Sequence, residues 1–86
     1  MKYTVLWTPH AESQLTDIWL NARDQKTVSS AVNQIDFQLH SDALSLGESR
    51  ESYRRIFHVP PIGVLYRVRP LDQVVEVLDA WLFEKH

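Results

Sequence analysis

The spacing of apolar residues changes period partway along this chain, and that change constrains the fold more than anything else in it. Up to Gly47, apolar residues recur at steps of three and four: Ala11, Leu15, Ile18, Trp19 and Ala22, then Ala31, Val32, Ile35, Leu39 and Leu46. From Tyr53 onward they alternate, with Tyr53, Arg55, Phe57 and Val59 on one side and Arg54, Ile56 and His58 on the other. Steps of three and four draw a stripe along a helix, and steps of two draw a face of a strand. The sequence therefore predicts helices followed by a run of strands, an α+β arrangement.

The boundaries follow from local chemistry. "KYTVLW" is β-branched and aromatic, as a short strand is, and Thr8-Pro9 supplies a helix cap followed by proline at the first helical position. That first helix is expected to stop near Asp24, with Thr27 capping a second one that Gly47 terminates. So short a connection makes the two helices antiparallel. Pro60-Pro61 cannot donate to a ladder and belongs to a turn, Gly63 restarts the chain into "VLYRVR", "PLDQ" turns again, and "VVEVLDAWLF" is a long last strand. The predicted order is β-α-α-β-β-β, a helical hairpin on a mostly antiparallel four-stranded sheet. Eighty-six residues close one core, so residues 1–86 read as a single domain.

Composition removes several classes of function. A hydrophobic share of 44% and a charged share of 23% are those of a globular chain. No apolar run approaches the roughly 20 residues of a membrane span, and the start "MKYTVLWTPHAE" lacks the pattern of a signal peptide, so a cytoplasmic location is expected and no membrane partner. The absence of cysteine removes disulfides and thiolate chemistry. The four histidines, at positions 10, 40, 58 and 86, have no metal-ligand spacing, and Gly47 and Gly63 are too few for a phosphate-binding loop, so no metal or cofactor is expected.

The net charge of −2 hides an uneven distribution. Residues 50–69 hold Arg50, Arg54, Arg55, Arg67 and Arg69 against Glu51 alone, whereas residues 10–48 hold six carboxylates against Arg23 and Lys26. Guanidinium groups on neighbouring strands suit phosphate or an acidic peptide, and they are equally the solvated side of a sheet. Glu76 and Asp79, three apart on the last strand, fall on opposite faces by strict alternation, with Asp79 on the side of Val75, Val77, Trp81 and Phe83 and paired with Arg55 or Arg67. Trp81, Leu82 and Phe83 in a row cannot all enter one core, so part of this segment is expected to meet a partner.

This order of elements, with "YTVLWTPHAESQLTDIW", "ESYRRIF", "GVLYRV" and "VVEVL", resembles the RelE/ParE superfamily of type II toxin-antitoxin toxins, from about Tyr3 to Phe83. The resemblance implies a small toxin, of a class tied to plasmid stabilisation, neutralised by a cognate antitoxin wrapped over its surface. RelE-like members cut messenger RNA on the ribosome with basic sheet residues and a late arginine and tyrosine; ParE-like members inhibit DNA gyrase without that set. At the matching positions this chain has Arg54 and Ile56 for two basic residues, Gly63 for an arginine, Phe83 or its neighbours for the late arginine and "EKH" where the tyrosine lies.

Most of the cleavage set is unmatched, which points to a ParE-like protein acting by binding a protein target. Arg50, Arg54, Arg69, Trp81 and Phe83 are then the expected contacts for antitoxin or target. The alternatives are a messenger RNA endonuclease with a reduced site of Arg54, Arg55, Arg67 and His58, in which His58 moves protons, or an inactive descendant of the fold. Homodimerisation stays open.

Overall fold

Thr8 and Asp24 decide where the two helices begin. In the computed structural model, which describes residues 2–83, the Thr8 hydroxyl accepts the Ala11 N–H at 3.2 Å and Pro9 occupies the first turn of α1 (Pro9–Leu20). The same hydroxyl donates to the Val77 carbonyl at 2.8 Å, which ties the helix start to the sheet. The helix ends at Asn21, short of the expected Asp24, because Asp24 opens the next helix, α2 (Gln25–Asp42). Its carboxylate accepts the Thr27 N–H at 3.2 Å and the Thr27 hydroxyl at 2.7 Å, and these bonds hold it below the ordinary carboxylate range. Thr27, expected as the cap, is the residue being capped.

The sheet contains β1 (Thr4–Trp7), β2 (Glu48–Ser49), β3 (Arg54–Val59), β4 (Ile62–Arg69) and β5 (Val74–Leu82), in the order β1-β5-β4-β3-β2. β1 runs parallel to β5 and every other neighbouring pair is antiparallel. One strand more is present than expected: β2 pairs only through Glu48 with Ile56 and Ser49 with Arg55, and two residues are too short for alternation to be seen. α2 ends five residues before Gly47, whose φ of +63° serves the turn into β2; a side chain there would strike the Ile56 backbone. β4 begins at Ile62, ahead of the Gly63 expected to restart the chain.

Both helices lie on one face of the sheet. Val28, Ala31, Ile35 and Leu39 of α2 and Ala11 of α1 meet Ile62, Val64, Tyr66 and Val68 of β4 and Val75, Val77 and Ala80 of β5. Burying each of the larger aliphatic groups contributes about 1.5–3 kcal/mol. The Tyr66 hydroxyl enters this core and donates to the Ala43 carbonyl at 2.8 Å, with the Leu46 carbonyl at 3.2 Å. Arg55 faces the same way and donates from Nε to the Leu46 carbonyl and from Nη2 to the Gly47 carbonyl at 3.2 Å, fastening the turn after α2.

β5 does not alternate strictly. Tyr66 stands opposite Val77, but Leu65 stands opposite Asp79, so Leu78 is an extra residue in this strand. Such a bulge shifts the inward set by one. Val75 and Val77 point to the helices before it and Ala80 after it, so Asp79 and Trp81 turn to the outer face with Glu76. The expectation that Asp79, Trp81 and Phe83 share a face with Val75 and Val77, and that Glu76 and Asp79 lie on opposite faces, is corrected by this one residue.

Candidate functional site

The outer face of the sheet, away from the helices, collects most of the residues singled out from the sequence. Cross-strand register arranges them in rows. Arg54 on β3 stands opposite Arg67 on β4, which stands opposite Glu76 on β5. The next row is Ile56, Leu65 and Asp79, and the one after it is His58, Gly63 and Trp81. The face therefore grades from charged, through a row of Ile56 and Leu65 that ends in Asp79, to aromatic.

At the charged end the arginines are largely committed to a neighbour. Arg67 Nη2 lies 3.0 Å and Arg69 Nε 2.7 Å from the same Glu76 oxygen, Oε1. Both guanidinium groups hold the Glu76 carboxyl below its ordinary value, Arg69 first, and Glu76 in turn raises Arg69. Arg54 lies in the exposed half of this row and makes no ion pair among the described residues. Arg50 lies apart in the turn after β2, with Nη2 3.1 Å from Glu48. Arg55 does not join this group, since it faces the helices.

At the aromatic end the His58 and Phe83 rings stack with centroids 4.0 Å apart and planes 21° from parallel. Trp81 meets His58 edge-on at 5.9 Å and 74°. The two rings of His58 and Trp81 close over Gly63 between them, where an added Cβ would come within 2.6 Å of the His58 ring. Gly63 is thus required by close approach, and its φ is not in the left-handed region.

One pair in this face was not anticipated. His10, in the first turn of α1, holds Asp79 with Nε2 3.0 Å from Oδ1. β1 stops pairing with β5 at Val77, and α1 takes over that edge: His10 meets Asp79 and the Gln14 side-chain oxygen accepts the Ala80 N–H at 2.8 Å. Asp79 therefore pairs with His10, and with neither Arg55 nor Arg67. The only sequence signal was a histidine placed one residue after the helix-starting proline, and without the bulge nothing aimed Asp79 at it.

The four proposed cleavage residues divide: Arg54, Arg67 and His58 share the outer face and Arg55 does not. Among the described residues no three histidine, aspartate or glutamate side chains gather as a metal site would need. Among the described residues no helix is long and apolar enough to cross a membrane. His86 and the "EKH" end fall outside the described residues.

No family model and no curated protein matches the sequence. Solved structures do match. A chain of the RelBE2 toxin-antitoxin complex of Mycobacterium tuberculosis superposes with a TM-score of 0.75 at 21% identity, covering 95% of this chain and 99% of that one. The chain has the RelE/ParE toxin fold. A chain of the chromosomal ParDE system of Pseudomonas aeruginosa follows with a TM-score of 0.72 at 16% identity, covering 96% and 98%. YoeB of Staphylococcus aureus, solved as a dimer, gives 0.60 at 17% identity, covering 100% and 99%. The RelE/ParE fold is shared at identities where only architecture is carried over, and the RelE and ParE branches are both represented.

Proposed function

We propose that this chain is the toxin of a type II toxin-antitoxin pair and acts in the ParE manner, by binding a protein, with DNA gyrase as the candidate target. The observation that carries the reading is the placement of Glu76. A surface that holds RNA needs its cations free for phosphate, whereas here one carboxylate occupies both Arg67 and Arg69. What remains on the face is one uncommitted arginine, Arg54, beside apolar Ile56 and Leu65 and the aromatic cluster of His58, Trp81 and Phe83. Few free charges around aromatic anchors suit a protein interface. A cognate antitoxin covers the same face, and the cytoplasm is where both meet.

The endonuclease reading keeps one support, because Arg54, His58 and the His10–Asp79 pair share the face and could together steady a phosphorane and move protons. Tightly controlled induction in a bacterial host, followed by supercoiling by purified gyrase and by ribosome-dependent RNA cleavage, separates the readings. Growth arrest with inhibited supercoiling and intact RNA is the expected result. Arrest with cut RNA that Arg54→Ala abolishes would replace it by the endonuclease, and undisturbed growth with folded protein and unimpaired gyrase would leave an inactive descendant.

A further inference from the structure

The turns at the charged end of the sheet enclose a cleft of about 310 Å³, between Ser52-Tyr53 on one side and Leu71-Asp72 on the other, with Arg67 and Arg69 in its wall. Three features there are expensive for a surface with no partner. Ser52 and Tyr53 both sit in the left-handed region, at φ +58° and +62°, which costs a side chain with a Cβ free energy that glycine would avoid. That strained backbone presents a Tyr53 ring 65% exposed, and Leu71 across the cleft is 100% exposed. The guanidinium groups are also short of acceptors: Arg67 and Arg69 share a single carboxylate oxygen, and Arg54 faces Arg67 across the ladder with no ion pair among the described residues.

We infer that this cleft is an anchor site for an acidic, apolar peptide segment of a protein partner, with a carboxylate taken at its edge by Arg54, which stands opposite the cleft-lining Arg67, and the adjoining apolar side chain seated between Tyr53 and Leu71. A carboxylate supplies the acceptor that Arg54 lacks. A phosphodiester chain is disfavoured, because it would carry a negative charge at every step past Glu76 and Asp72, where the peptide needs only one beside Arg54, and Leu71 offers a nucleotide backbone nothing. The inference rests on the protein-binding reading above, but its test involves neither growth nor gyrase, so either can fail alone.

The test is an amide-resolved NMR titration of the full chain with the peptide acetyl-Glu-Leu-Glu-Phe-amide, with acetyl-Gln-Leu-Gln-Phe-amide, and with a uridine oligonucleotide. The acidic peptide is expected to give saturating shifts at Tyr53, Arg67 and Leu71, and the neutral one to bind about tenfold more weakly, as loss of a charge-assisted hydrogen bond predicts. Arg54→Ala and Leu71→Ser, both at exposed positions, should each weaken the acidic peptide while the rest of the spectrum reports an unchanged fold. Equal binding of the two peptides, saturation by the oligonucleotide alone, or no shift with the acidic peptide overturns the assignment.

Discussion

Tyr66 shows how much one hydroxyl contributes to the frame that holds the outer face. Its ring is fully buried, and its O–H reaches the Ala43 and Leu46 carbonyls beyond the end of α2, where helix carbonyls otherwise lose their partners. Burial pushes its pKa up to about 12 from 10.0, against the opposing pull of Arg55. The neutral form is therefore the one the fold prefers, and its contribution is complete below pH 10.0 and lost as pH rises toward about 12. Tyr66→Phe should cost about 1 kcal/mol at neutral pH by urea denaturation, and it should remove this part of the alkaline loss of stability. Arg55 belongs to the same frame. The reduced cleavage set grouped it with Arg54 although alternation already sends the two to opposite faces, and nothing in the sequence pointed Arg55 at the Leu46 and Gly47 carbonyls that hold it.

At the scale of elements, the helices and the three longer antiparallel strands were legible because each buries a face long enough to repeat its period several times. β2 was not, since two residues contain no period, and neither was the exchange of caps, because Asp24 and Thr27 are both good capping residues three positions apart. The candidate site was half legible. Arg54 and His58 could be placed together from alternation within β3, but Trp81 and Phe83 could not be assigned to their side while the extra residue in β5 was unseen. Where β3, β4 and β5 meet, Gly63 lets the His58 and Trp81 rings approach across the sheet. Gly63→Ala should therefore lower stability by about 1–3 kcal/mol through overpacking, and it should shrink the near-ultraviolet circular dichroism of Trp81 while far-ultraviolet signal is kept. An unchanged near-ultraviolet spectrum would show that the rings do not depend on that gap.

Across the whole molecule, charge is divided between a helical layer rich in carboxylates and a sheet rich in arginine, and Glu76 is the counter-charge of Arg67 and Arg69 within the sheet. Arg69 and Arg67 lower its pKa, so the ionised form is the one bound by the fold. Its contribution is present above its ordinary value of 4.5 and lost as pH falls through the lowered one. Wild type and Glu76→Gln should thus differ in urea midpoint at pH 7 and converge in acid; a difference that persists well below pH 4.5 would assign the effect to packing instead. The extra residue at Leu78 has a consequence of another kind. Half of the outer face owes its identity to counting: the aromatic end looks outward only because the strand is out of phase with itself by one step. Exchanging Leu78 for another apolar residue leaves that phase alone, whereas deleting it would turn Trp81 and Phe83 toward the helices. This protein can drift in residue chemistry along its last strand far more freely than it can change that strand's length.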